Sequence, residues 1–501
     1  MKEKGQGERM KTEYEQPEKP SVQNTKEARK TSNWCVNPLD YRYYGADEKF
    51  FERLFPYVSQ EAYVTYLLRV EATLAKMLAE WRICTPKVAD EVEKACETIT
   101  AEEVLQEDQR IHHDVRALVN CIRKRVSVDA SQCIHLFATS ADITDTANAL
   151  RFKELTRDVI LPDLLEFHHL LVKLAREYAD VVQIGRTHGK HAEPITFGYA
   201  MASYVSRLGN RIQRIGDAMN NLRGKFSGAV GAYNALSLYY PVDPAILEIQ
   251  FLKELGLRPT DSSVSTQIVE PEFLTDLVYA VISCFSVLAN LADDIRHLHR
   301  TEIAEVREKY DVNDIGSSTM PHKVNPKNFE NVKSLWKAYM PRIITSLMDQ
   351  ISEHQRDLTN SASGRFVTEL VTGFDYAVNR LKDALHNIFV DRQRMRQNLA
   401  NSEGSIVAEP LYILLALNGF PDAYNYVRTL VATSEDMKQK LSELIWKDKR
   451  IEPILRKLKP EQLQVLKDPS KYVGASYQRT IATCEYWELS LYGLNVPPSS
   501  M

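Results

Sequence analysis

The sequence predicts an all-α protein, a central bundle of long helices flanked by two smaller helical domains. Three observations carry that prediction. Apolar residues recur at helical spacing nearly everywhere, the alternation of a half-buried strand is almost absent, and the 19 glycines, sparse for 501 residues, gather around three islands. The clearest periodic stretch runs Met201, Val205, Leu208, Ile212, Ile215, Met219 and Leu222, with spacings that alternate four and three. Such a heptad seam packs one long helix against others. A second long helix, from about Pro271 to Arg307, carries Leu277, Val281, Leu288, Ile295 and Leu298 at helical spacing, with alanines between them that admit close approach.

These helices place a long-helix bundle at roughly 137–385, after a shorter helical region at 34–136. Beyond that, at 386–501, helices are short and broken by turn signals such as Gly419-Phe420-Pro421, Lys459-Pro460 and Asp468-Pro469, which predicts a small C-terminal helical domain. Residues 1–33 are rich in Lys, Glu, Gln and Thr and nearly free of aliphatic side chains, so they cannot build a core and are expected to be a disordered tail. They lack the apolar stretch of a secretory signal, and their glutamates count against an organellar transit peptide.

Composition narrows the function classes. With 44% hydrophobic and 26% charged residues and a formal net charge of -4, the chain has globular composition and no global basic field to recruit nucleic acid or an anionic membrane. Seven cysteines without a C-x-x-C pair read as free thiols in a reducing compartment, so a cytoplasmic location is expected. The most apolar run, Leu277 to Ala292, is interrupted by Ser283, Ser286 and Asn290 and reads as a buried core helix rather than a membrane span.

The islands hold the polar chemistry. Gly316-Ser317-Ser318-Thr319-Met320-Pro321-His322-Lys323-Val324-Asn325-Pro326 is a loop whose free N–H groups, Lys323 cation and Asn325 amide suit an oxyanion, although a solvated turn with a helix starting at Pro326 fits the same residues. Gly185-Arg186-Thr187-His188-Gly189-Lys190-His191 puts an imidazole, which titrates near neutrality, beside a mobile turn, where His188 can donate a proton or simply be hydrogen-bonded. Thr139-Ser140-Ala141-Asp142-Ile143-Thr144-Asp145 is an N-cap cluster, and a helix start also offers free N–H groups to an anion. His188 and His191, with His112, His113 and His322, show no H-E-x-x-H pattern and no cysteine pair, so no metal site is predicted.

The stretch from Gly316 to Asn325, followed by Glu330, resembles the signature of the fumarase/aspartase/argininosuccinate lyase superfamily. The resemblance implies a closing loop in which Ser317 is the general base, with Lys323 and Asn325 as carboxylate and oxyanion partners, and His188 as the general acid. The His188-Gly189 stretch through Phe197 and Gly198 is similar to the adenylosuccinate lyase branch. So are Arg42-Tyr43 after Asn37-Pro38-Leu39-Asp40, Thr266-Gln267, and Gln355-Arg356-Asp357-Leu358-Thr359-Asn360-Ser361 with Arg365. By that resemblance Arg42, Tyr43, His112, His113, Asp114, Thr139, Ser140, Gln267, Arg356, Ser361 and Arg365 contact substrate.

Lys225 to Gly231 looks like a family backbone turn near the substrate, while Ala232 and Leu236 stand where the bacterial-type pattern has Asn and His. The branch implies succinylated purine nucleotides as substrates, fumarate as product, no organic cofactor or metal, and a homotetramer whose active sites are each built from three subunits. Argininosuccinate lyase or fumarase on the same scaffold is the nearest alternative, weighed against by Gly189 and the Arg356 to Arg365 segment. A non-catalytic structural relative is disfavoured because His188, Ser317 and Lys323 are all present.

Overall fold

The computed structural model describes residues 37–239, 243–309 and 319–493. Ser317 and the first part of its loop lie outside the described residues, as does the predicted N-terminal tail. The chain divides into two compact units, one ending at Glu52 and the other beginning at Arg53. In the first, a π-helical turn at Leu39–Tyr43 leads through a 3-10 turn to a short helix, Glu48–Glu52, whose Phe51 ring meets those of Tyr44 and Phe50 edge-on.

The second unit opens with α1 (Gln60–Glu80), α2 (Pro86–Thr98), α3 (Ala101–Ile111) and α4 (Asp114–Arg123). The sequence punctuates them with side-chain caps: Ser59 starts α1, Thr85 followed by Pro86 starts α2, and a Thr100/Glu103 capping box starts α3. The long helices come next. α5 (Ser140–Leu155) runs through a π-helical turn, Thr156–Ile160, into α6 (Leu161–Glu177). A hairpin of β1 (Val182–Thr187) and β2 (Lys190–Thr196) then leads into α7 (Phe197–Asn220).

The predicted seam lies on α7 and the turn after it, and all seven of its residues are buried. After α8 (Pro244–Glu254) comes α9 (Glu272–Leu298), antiparallel to α7: as the chain climbs α7 through Tyr204, Arg207 and Arg211, their partners descend α9 through Asp294, Asn290 and Ser283. α9 is apolar and long enough by composition to cross a membrane, but most of it is buried inside the protein. It ends at Leu298, short of the Arg307 expected from periodicity, because the chain turns there and forms β3 (Val306–Glu308).

α10 (Lys327–Tyr339) runs back along α9, tied by Lys333 to Asp293 and by Trp336 Nε1, which donates to Ser286 Oγ at 2.9 Å. α11 (Arg342–Met348) and α12 (Val367–His386) lead to β4 (Ile388–Val390), which pairs antiparallel with β3. α13 (Arg392–Ala400) precedes a run of short helices that surround a separate apolar cluster, which includes Leu411, Leu415, Val427, Ile445 and Leu466. The last helix among the described residues, α14 (Ser476–Tyr492), returns to the bundle. There Arg176 pairs with Glu488 at 2.6 Å, and Trp487 lies so close to Gly209 that an added Cβ would stand 2.3 Å from its ring.

Candidate active site

The direction of the helices sorts the candidate residues onto two ends of the bundle. One end is where α7 stops and α9 starts. Thr139 and Ser140 open α5 there, in a capping box in which Thr139 N–H donates to Asp142 Oδ2 at 2.8 Å. Asp142 is fully buried, accepts from the Ser227 N–H at 3.1 Å and the Gly228 N–H at 3.2 Å, and pairs with the Lys225 ammonium, which is itself 1% exposed. A buried charge of either sign is costly unless paired, so Asp142 and Lys225 hold the helix start against the turn that comes after α7.

Further segments converge on this end. Val269 N–H donates to Asp145 Oδ2 at 3.0 Å, and Gln267 N–H donates to the Gln355 carbonyl at 3.3 Å, which brings the loop before α9 to Arg356. Burial pushes the Asp145 carboxyl up, against the pull of Val269 N–H and the charges of Lys225 and Arg356. The Tyr63 hydroxyl is pushed up to about 12, first by burial and then by the Asp114 carboxylate, with Asp145 adding and Arg151 and Arg365 opposing. Those charges therefore sit around one tyrosine. Arg356 donates one arm to Asn360 and keeps Nη1 buried with no partner among the described residues, which leaves a cation in need of an anion. Arg365 and Ser361 are exposed on the turn that precedes α12.

His112 is the left-handed C-cap of α3, and His113 caps α4, accepting the Arg116 N–H at 3.2 Å on Nδ1, with Asp114 as the first residue of that helix. Arg42 and Tyr43 belong to the first unit, on its π-helical turn.

The other end is where α7 starts and α9 stops. His188 sits there at the exposed tip of the β1–β2 hairpin. The two tip residues, His188 (φ 53°) and Gly189 (φ 75°), are both left-handed, as a two-residue turn matching strand twist requires. This corrects the expectation of a loop island: the stretch is a β-ribbon, missed because its strands are short and polar. Lys323 and Asn325 lie just ahead of α10, whose antiparallel course along α9 starts it at this same end, and Lys323 is exposed. His191 ring nitrogen Nδ1 meets Ser402 Oγ at 2.5 Å.

Between the two ends runs α7, of 24 residues. At ~1.5 Å rise per residue that is about 36 Å. The two ends that carry the candidate acid and the Arg356 and Ser140 group of one chain are therefore a helix length apart.

A lyase family model matches residues 41–337, and an adenylosuccinate lyase C-terminal model matches residues 352–472. An adenylosuccinate lyase of Pyrococcus abyssi is 33% identical over 447 residues, covering 88% of this chain and 95% of that protein. The chain belongs to the adenylosuccinate lyase family. An Aquifex aeolicus adenylosuccinate lyase is 32% identical over 74% of this chain and 83% of its own length. Among solved structures, a fumarate lyase from Mesorhizobium sp. superposes with a TM-score of 0.75 at 23% identity, covering 87% of this chain and 97% of that one, which shows a shared fold.

Within this family member, Leu236 is buried at 2% exposure and serves packing, whereas Ala232 is exposed. Sequence reading passed over two groups that the structure brings to the Ser140 end. One is Lys225, singled out only as part of a turn. The other is His135, whose Nδ1 lies 2.6 Å from Oε1 of the buried Glu71, four residues before Thr139. Burial lowers the His135 pKa, but the bond and charge of Glu71 outweigh it and the net shift is upward. Its hold on the loop is thus whole below about 6.5 and is lost as pH rises through the raised value. Substrate KM is expected to climb over that interval in the native enzyme and to lose this pH dependence in His135→Asn.

Lys225→Met would strand the Asp142 carboxylate in the core. It is expected to cost about 3–5 kcal/mol, read by thermal or denaturant unfolding, with backbone donors to Asp142 favouring the lower figure.

Proposed function

We propose that this protein catalyses reversible β-elimination of fumarate from adenylosuccinate, giving AMP, and from the succinylated aminoimidazole carboxamide ribotide of purine biosynthesis. The observation that carries this reading is family membership along the chain together with an intact His188, Ser317 and Lys323 set. Ser317 takes the proton from Cβ, and the electron pair left behind spreads into the adjacent carboxylate. Lys323 and Asn325 balance that charge. The C–N bond then breaks with its electrons going to nitrogen, and His188 supplies the proton that nitrogen needs.

Arg356 and Arg365, with Ser361, Thr139, Ser140 and Gln267, hold the nucleotide and succinyl groups, aided by His112, His113 and Asp114 and by Arg42 and Tyr43. An unpaired buried guanidinium arm on Arg356 supports a phosphate contact there. The reading includes a homotetramer with shared sites, in the cytoplasm, and three helical domains at 34–136, 137–385 and 386–501. The separation of the two groups of candidates along α7 favours sites assembled between subunits.

The test is to supply adenylosuccinate and argininosuccinate separately and to follow fumarate. Fumarate from adenylosuccinate alone is the expected result. Fumarate from argininosuccinate, or none from either with correctly assembled protein, overturns the reading.

A further inference from the structure

The hairpin that carries His188 is held by one buried carboxylate that no motif contains. Glu305, in the loop between α9 and β3, is 0% exposed. Its Oε1 accepts from Arg186 Nη2 at 2.6 Å and Asn398 Nδ2 at 2.8 Å, and its Oε2 accepts from Gln183 Nε2 at 2.7 Å and Arg186 Nη1 at 3.1 Å. Every acceptor position of the carboxylate is thereby used, which is the condition for burying such a charge. The backbone of Glu305 is fixed as well. Its N–H donates to the Leu298 carbonyl at 3.0 Å, and its carbonyl accepts from the Asp391 N–H at 2.9 Å.

Side chain and backbone together, Glu305 therefore joins four elements. Gln183 and Arg186 are on β1, Asn398 is on α13, and the backbone bonds reach the end of α9 and the residue after β4. Arg186 is two residues from the tip, directly after a register shift in the ribbon between Ile184 and Arg186. A bulge bends its strand and re-aims the residues beyond it, so the direction of the tip depends on the groups to which Arg186 is tied. Apolar packing of Ile184 against Leu399 and Ile406 fixes the base of the ribbon but does not reach its tip.

We propose that Glu305 is a positioning residue for the elimination: by gripping Arg186, Gln183 and Asn398 it sets the direction in which the hairpin presents His188. The proposal rests on the reading of His188 as general acid. Glu305 acts on the chemical step and not on substrate binding, because its carboxylate grips the hairpin that carries the proposed acid and bonds none of the groups proposed to hold the nucleotide. A glutamine here keeps one oxygen but turns an NH2 group toward groups that had donated, so either a bond is lost or the amide of Gln183 or Asn398 must turn over, and the tip loses its aim while the fold keeps its apolar base.

The experiment compares kcat and KM for adenylosuccinate in the full-length protein and in His188→Asn, Glu305→Gln, Glu305→Asp and the His188→Asn/Glu305→Gln double variant, using single-turnover mixing for low rates. Glu305→Gln is expected to lower kcat about 30- to 300-fold with KM within about threefold, and Glu305→Asp, which keeps the charge, to recover part of that loss. In the His188→Asn background the same change should have almost no further effect, because a residue acting through His188 has nothing left to act on. An equal loss in both backgrounds, a wild-type kcat in Glu305→Gln, or a loss confined to KM overturns the positioning role. Near-normal kcat in His188→Asn instead overturns the acid assignment itself. Should Glu305→Gln not fold, Asn398→Ala removes one donor only and must lower kcat about three- to tenfold at unchanged KM, and a wild-type kcat there overturns the proposal.

Discussion

Ser317→Ala is expected to lower turnover of adenylosuccinate by about a thousandfold or more while leaving assembly and substrate binding in place. The Cβ proton is only weakly acidic, so the barrier is set by how far the enzyme stabilises the dianion formed when it leaves. A hydroxyl is a poor base in water. It becomes an effective one only inside a closed, dry loop where N–H donors and a cation such as Lys323 stabilise its anion. Alanine removes the proposed proton acceptor and its one oxygen. Binding should survive because the proposed phosphate contacts lie on other segments and alanine leaves Lys323 and Asn325 in place. The check is fumarate formation under single-turnover conditions alongside calorimetric titration with adenylosuccinate. Turnover within about tenfold of the native enzyme would remove Ser317 from the role of base.

Legibility in the sequence depended on whether a signal was local. The seam from Met201 to Leu222 and the apolar helix around Leu288 were legible because burial repeats along a helix at a fixed period, and every seam residue proves buried. The β1–β2 ribbon was not, because its strands are short, polar and interrupted by Gly185 and Pro194, so period two never becomes visible. Candidate site residues stood out in the sequence where several polar side chains share one short stretch, as at Lys323 and Asn325. Glu305 was illegible for the opposite reason. It is one of two glutamates in its loop, with Glu302, glutamate is almost always exposed, and its partners lie at positions 183, 186 and 398. His135 gave no signal either, since its buried partner Glu71 lies 64 residues away on α1.

The separation of the two ends makes a second large effect testable. His188→Asn disables one end and Arg356→Ala the other, and each variant alone should be nearly silent at substrate far below its KM: the first for lack of an acid, the second through a loss of about a hundredfold in kcat/KM. If one chain built a whole site, a mixture of the two would stay silent, because every site would carry one defect. The α7 helix argues against that arrangement, since its length of about 36 Å separates the end of the bundle that carries one group from the end that carries the other. A nucleotide-sized substrate cannot bridge such a span. Dissociating the two variants together and reassociating them should instead create sites that draw the intact acid from one subunit and the intact arginine from another. With equal mixing, about a quarter of the sites receive both, so activity should rise from near zero toward about a quarter of the native value. Recovery must require reassociation, and it must vanish when either variant is mixed with itself. No recovery, in a mixture shown by sizing to contain hybrid oligomers, would mean that no site draws these two groups from different subunits.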